Sequence, residues 1–286
     1  ASLPVPAAST PLDIAVYVTD AARLPEVCQQ LAGFLGCSSE EALQLLTNNP
    51  PIVLGGVSEA TANALGDRLA AEVMAVDPHT SLYTLTFEGA DVIRTRLQAY
   101  LDRMGVEADL TSKPVVEHLT HEQGQAIWKQ FNTTSAIKLI NQDFQRFEVI
   151  LTDYDQNRAG VQEALASLAG MPREVVDEVL NNLPIQVVPS ISRAAIQDTV
   201  NSYQQAGLVC EARLISHAQQ RLVIEEVKDE QKTRAVLSKF LPKELVPPQV
   251  KTPWYAPIPM AELVARYAVA ALEANGCEVD YEDYEA

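Results

Sequence analysis

The sequence predicts an α+β protein of four small repeated β-α-(α)-β-α-β units arranged as two homologous halves. Two observations carry this. The first is an internal duplication: residues 36–73 and 170–207 lie beneath one another without a gap at a shift of 134 positions. Carried upstream, the same register gives identities at Val27/Val161, Leu31/Leu165, Ala32/Ala166, Gly36/Gly170, Glu40/Glu174, Leu46/Leu180, Asn48/Asn182, Pro50/Pro184, Val53/Val187, Ser58/Ser192 and Ala60/Ala194. The second is that short alternating apolar runs and amphipathic helical runs follow one another along the chain, the mark of stacked supersecondary units. With 286 residues, 47% of them apolar and 21% charged, the chain has a globular composition and length for two cores.

Residues 1–11 are small and proline-rich and read as a flexible linker. The first half spans 12–145. In its full unit, 12–87, Ile14, Val16 and Val18 alternate as a strand that ends at Thr19-Asp20. Val27, Leu31, Phe34 and Leu35 give a helix over 25–34 with Gly36 as its stop. Ser38 or Ser39 caps a short helix to Leu46, with Glu40 and Glu41 where the helix dipole favours anions, and the run 48–51, ending in Pro50-Pro51, breaks it. Residues 52–54 are then a strand and Gly55-Gly56 a turn. Ser58 caps a helix to Glu72 whose apolar stripe is Ala62, Leu65, Leu69 and Val73, and residues 81–87 close the unit as a strand.

The short unit, 82–145, repeats this plan with one helix fewer: helix 90–104, strand 114–116, a helix from its Thr120 cap to Phe131, and strand 136–140. The second half spans 146–286. Its full unit, 146–216, opens on strand 147–151 and Thr152-Asp153, then gives a helix to Gly170, a short helix 173–180, the breaker 181–184, strand 185–188, a helix from Ser192 to Gly207, and strand 209–215. Its short unit, 220–286, gives strand 222–227, helix 232–240, strand 254–256, helix 260–275 and strand 277–281. The polar run 141–146 reads as a short link crossed by few contacts, so the halves are expected to touch less than the units within each half.

The net charge of −17 argues against nucleic acid and anionic lipid, both of which need a local excess of Lys and Arg. It suits another protein with a basic surface, and the acidic run 278–286 reads as a solubilising final strand and tail, or else as a handle for such a partner. No window has the length of an apolar membrane span, and the first residues lack the basic and apolar regions of an intact signal peptide. Four scattered cysteines without a CxxC pair fit a reducing, cytoplasmic setting better than a disulfide framework. Neither GxSxG nor a glycine-rich phosphate loop occurs, so no catalytic residue, cofactor or metal is expected. His118 and His121 read as a surface pair, His79 and His217 as isolated loop residues, and Trp128, beside Ile127 and Phe131, as core.

The candidate binding residues are few. Asp20 and Asp153 each end a strand, where a carboxylate serves as a turn or cap, or else accepts a ligand's amine or a basic side chain. Tyr154 and Asp155 extend the second of these. Trp254 and Tyr255 lie between Pro253 and Pro257, as a protected sheet edge or an aromatic anchor for a partner.

The full unit resembles the C-terminal domain of the bacterial ribosomal stalk protein, whose small α/β fold is shared by the Clp-protease adaptor. The resemblance rests on the second copy: a helix ending in Gly170, a short helix with Glu174 near its start, the exit LNNLP, a strand, and Ser192 opening a long helix that ends QQAG before VCEARL. It implies small three-stranded units that bind proteins. The lysine face of the stalk domain is replaced here by Arg158 and Arg173, and of the adaptor's amine-binding set only the acid is kept, in Asp20 and Asp153. The function expected is a non-catalytic adaptor, scaffold or assembly protein. The alternative is an enzyme or small-ligand sensor with a site in the cleft between the halves.

Overall fold

The computed structural model describes residues 10–284, so the linker expected at 1–11 lies almost wholly outside the described residues. The chain is a mixed α/β protein of small antiparallel sheets. The first sheet comes from β1 (Leu12–Tyr17), α1 (Leu24–Leu35), α2 (Ser39–Leu46), β2 (Ile52–Val57), α3 (Glu59–Arg68) and β3 (Glu72–Val76), in the order β2-β1-β3. The second comes from β4 (Tyr83–Phe87), α4 (Asp91–Arg103), β5 (Val115–Leu119), α5 (His121–Phe131) and β6 (Ile137–Asn141), in the order β5-β4-β6.

The third follows with β7 (Arg146–Tyr154), α6 (Val161–Ala169), α7 (Arg173–Asn181), β8 (Ile185–Ser192), α8 (Ile196–Gln205) and β9 (Leu208–Leu214), in the order β8-β7-β9. The last comprises β10 (Gln219–Glu226), α9 (Glu230–Phe240), β11 (Trp254–Tyr255), β12 (Met260–Ala261), α10 (Glu262–Ala274) and β13 (Glu278–Asp283). Here β11 and β12 share one edge of β10 and β13 takes the other. In every sheet the first strand is central.

Local chemistry explains most boundaries. Gly36 and Gly170 end α1 and α6 in the left-handed conformation, at φ 70° and 63°, with their N–H groups on the carbonyls of Ala32 and Ala166. Ser38 and Glu41 form a reciprocal capping box on α2. Both short helices stop before their prolines, α2 at Leu46 and α7 at Asn181.

Four expectations need correction. Gly55 and Gly56 lie inside β2 rather than in a turn, where the Gly56 N–H reaches Asp13 Oδ1 at 3.3 Å. The helix from Ser58 ends at Arg68 because the Ala70 N–H is taken by Gln30 Oε1 at 2.9 Å, and Glu72–Val76 becomes the strand that closes the first sheet against β1. Tyr83–Phe87 therefore pairs β5 and β6, and not the first sheet. Ser192 makes no side-chain cap bond; it ends β8 opposite Arg146.

The fourth correction concerns the link. Asn141, Gln142, Phe144, Gln145 and Arg146 are buried. Most of their polar groups find partners within the protein: Gln142 Nε2 donates to Thr84 Oγ1 at 3.0 Å, Asn141 Oδ1 accepts the Asp143 N–H at 2.9 Å, and Arg193 donates to Gln145 Oε1, while Asn141 Nδ2 is buried with no partner among the described residues. Phe144 seals Ala15 and Tyr17 on the back of the first sheet. The chain's two ends also share a core, since Leu263 and Tyr267 of α10 join Ile14, Val16, Val18, Leu31 and Leu65. The segments before and after this run are thus bound by buried contact.

Candidate functional site

The residues singled out from the sequence occupy three separate places. Asp20 caps the 3-10 turn Ala21–Arg23, accepting the Ala22 N–H at 3.2 Å. Asp153 lies within β7 and accepts the N–H of Tyr154 at 2.8 Å, while Asp155 accepts that of Asn157 at 3.0 Å and Tyr154 packs against the third core. Trp254 is half-buried against the last core, opposite Ile224. Tyr255 is exposed, with the Arg221 guanidinium 4.8 Å above its ring and Arg221 itself bonded to Glu282. Among the described residues no hydrogen bond or ion pair joins one of these places to another.

A groove of about 230 Å³ opens elsewhere, on the second sheet, lined by Tyr83, His121, Gly124, Gln125, Trp128 and Leu139. Each side chain is placed by its element. Ile127 and Phe131 of α5 are one turn apart and enter the core, with Gly124 buried on the same face. Trp128 is one residue past Ile127, about 100° round the helix, and so stands at the rim, 44% exposed. The expectation that it belongs to the core is corrected on that ground. Tyr83 and Leu139, on the adjacent strands β4 and β6, supply the floor.

Aromatic rings continue the groove outward. The His121 ring lies 5.8 Å from Tyr83 and 4.6 Å from His79, so His79 is not an isolated loop residue. Asp77 fixes His79, accepting its backbone N–H at 3.0 Å and approaching Nδ1 at 3.3 Å. The Tyr83 hydroxyl donates to the Pro78 carbonyl at 2.8 Å; burial, and then nearby carboxylates led by Asp13, push its phenol up and keep it neutral. His118 takes a different partner, Gln142 Oε1 at 3.2 Å, from a left-handed backbone at φ 61°. Burial and the charge of Lys138 lower His217, which lies 3.3 Å from Gln145. No group of three potential metal ligands gathers among the described residues. A wider hollow of about 610 Å³ borders Leu35, Cys37, Glu41, Leu45 and Asn48 but presents no aromatic ring.

The meeting point of the sheets has a different character. Arg146, its side chain 5% exposed, binds Glu72 Oε2 at 2.7 Å and Ser190 Oγ at 2.8 Å, and its guanidinium sits 4.3 Å from the centre of the Tyr17 ring. Tyr17 donates to the Phe144 carbonyl, and the Tyr267 hydroxyl accepts the Val18 N–H at 3.0 Å. Burial pushes the Tyr17 phenol well up and that of Tyr267 to about 12. Beside Arg146, Glu262 and Arg266, a space of about 10 Å³ remains. These groups lock the sheets together and leave room for about one water.

What the groove offers is a rigid ring cluster with a projecting Trp, suited to gripping an apolar or cationic side chain of a partner. Sequence reading missed it because Tyr83, His79, His121 and Trp128 share no motif spacing; the one available signal was that Trp128 falls just off the stripe of Ile127 and Phe131. No helix among the described residues is long and apolar enough to cross a membrane. Comparison with protein-family models, with curated proteins and with solved structures finds no match to this chain.

Proposed function

We propose that the protein is a non-catalytic adaptor or scaffold that works in the cytoplasm by binding another protein with a basic surface. On this reading it is assembled from four related α/β units in two homologous halves of the stalk-domain type, with the Trp128 groove as its main binding face. Trp128 is the observation that carries it: a large ring held half-exposed beside Tyr83, His121 and Leu139. Aromatic anchors in such settings dominate protein interfaces. The common strand order of the sheets supports the repeat, and the net charge of −17 supports a basic partner. Tyr255 is a second exposed ring on the same terms, and Asp20, Asp153, Tyr154, Asp155 and Trp254 are auxiliary positions for basic groups.

The alternative, a small-ligand site in the cleft between the halves, meets a junction filled by Tyr17, Arg146, Glu262 and Arg266. The two readings separate by experiment. Proteins captured from native extract are purified and titrated against wild type and Trp128→Ala. The expected result is direct binding by a basic protein, weakened by salt and by about 30-fold in the variant, the roughly 2 kcal/mol of an anchor residue. If no purified protein binds directly while a metabolite raises the melting temperature, the ligand-sensor reading replaces this one.

A further inference from the structure

The sheet edges are not equally protected. β2 carries two glycines and register shifts, β5 follows Pro114 and is bulged, and β8 contains Pro189 and two register shifts. β11 is two residues long between Pro253 and Pro257, and β13 bears Asp280, Glu282 and Asp283. β3 and β6 have five residues each; Met74 and Val76 of β3 pack with Phe144, and β6 leads straight into the buried run after Asn141. β9 is less protected: its one register shift against β7 lies at its start, between Val209 and Cys210, and its two charges, Glu211 and Arg213, are of opposite sign. Its seven residues contain neither Pro nor Gly, its register with β7 is unbroken from Cys210 to Leu214, and Val209 and Leu214 are 52% and 40% exposed. Edges of this kind are templates for another strand.

The backbone fixes which groups are free. The Ile215 N–H donates to the Arg146 carbonyl at 3.0 Å, and the Gly207 carbonyl accepts the Asp155 N–H at 2.8 Å. Alternation in an antiparallel ladder then assigns the odd-numbered residues to β7 and leaves the N–H and C=O of Cys210, Ala212 and Leu214 on the open edge. We propose that this edge binds a second copy of the chain, β9 against β9, antiparallel about a two-fold axis at Ala212, joining two third sheets into one.

Charge selects the register. With Ala212 opposite Ala212 and Cys210 opposite Leu214, the free edge groups meet. Glu211 then faces Arg213 of the second copy, and symmetry repeats the pair. Sliding one ladder step either way sets Glu211 against Glu211 or Arg213 against Arg213, which is unfavourable. Within one copy Glu211 and Arg213 are about half-exposed and bond each other at 2.6 Å, a surface pair of little worth that is readily exchanged across the axis.

Sedimentation equilibrium over a concentration series tests this. Wild type is expected to form a concentration-dependent dimer. Glu211→Arg alone and Arg213→Glu alone each weaken it by about tenfold or more, because like charges now face each other, while an equimolar mixture of the two variants restores association as a heterodimer. Ala212→Pro abolishes dimer formation with an unchanged circular dichroism spectrum, since the N–H it removes has no partner among the described residues. Wild type that stays monomeric at every concentration overturns the proposal. So does a dimer indifferent to Ala212→Pro and to both charge reversals, or a variant mixture that associates no better than its components.

Discussion

Residues 12–76 and 146–214 are built on one strand order but use the backs of their sheets differently. In β1, Ile14 and Val16, followed by Val18, enter the helix-covered core, while Ala15 and Tyr17 face the other way and are buried under Phe144. In β7 alternation groups Phe147, Val149 and Leu151 on one face and leaves Glu148, Ile150 and Thr152 on the other. There Glu148 stands opposite Arg213 and accepts from Gln186 at 2.8 Å. The difference teaches that helix-facing positions make the sheet, and the alternate positions decide whether its back is sealed by another segment, as over Ala15 and Tyr17, or stays mixed, with Ile150 buried between the partly exposed Glu148 and Thr152.

The sharpest way to break this contrast is at Arg146. Arg146→Ala removes the guanidinium between the two sheets and leaves Glu72 without its partner. The expected loss is about 2–3 kcal/mol in urea denaturation, below the roughly 3–5 of a fully buried pair because Glu72 is 36% exposed. Glu148→Ala, on the mixed back, should change stability by less than about 0.5 kcal/mol. Equal losses would erase the distinction.

Tyr267→Phe ranks next, at about 1–2 kcal/mol, since it strands the buried Val18 N–H in the first core. It also carries a pH signature. Burial raises the Tyr267 phenol from 10.0 to about 12, so the folded protein keeps a proton that the unfolded chain releases sooner. That contribution is full below about pH 10 and is lost as pH climbs towards 12. Alkaline titration of stability should therefore fall less steeply in Tyr267→Phe than in wild type.

Smaller effects sharpen the comparison. Ser58 accepts the Thr61 N–H at the start of α3, whereas Ser192, its match in the 134-residue register, makes no such bond. Thermal denaturation should show Ser58→Ala costing about 1 kcal/mol and Ser192→Ala less. The smallest effect has the opposite sign. The Tyr203 hydroxyl is buried in the third core without a hydrogen-bond partner among the described residues, so Tyr203→Phe should be neutral or stabilising by up to about 1 kcal/mol.

Much of the fold was legible because helix signals are local. Gly36, Gly170, Ser38, Thr120 and the prolines at 50 and 184 carry their chemistry within a turn of where they act. β3 was not legible: Leu65, Leu69 and Val73 keep helical spacing, and only Gln30, distant in sequence, turns the chain out of α3. The duplication register had a related weakness. It aligns the helices at 134, yet Ile14 pairs with Leu54 where Val149 pairs with Val188, so the central strands match at 135, and a one-residue slip exchanges the faces of a strand. The groove needed tertiary structure, because residues 79, 83, 121 and 128 meet only once β4 and α5 have packed.

The place of Leu263 and Tyr267 in the first core bears on how the protein is made. β3 completes the first sheet at Val76, but two side chains of its core belong to α10. At ribosomal rates that helix follows on the order of ten seconds or more later. Until then Val18 and its neighbours are open to solvent, a sticky surface on the nascent chain that a chaperone would cover. Of the four sheets, the first is synthesised earliest and is among the last to be sealed.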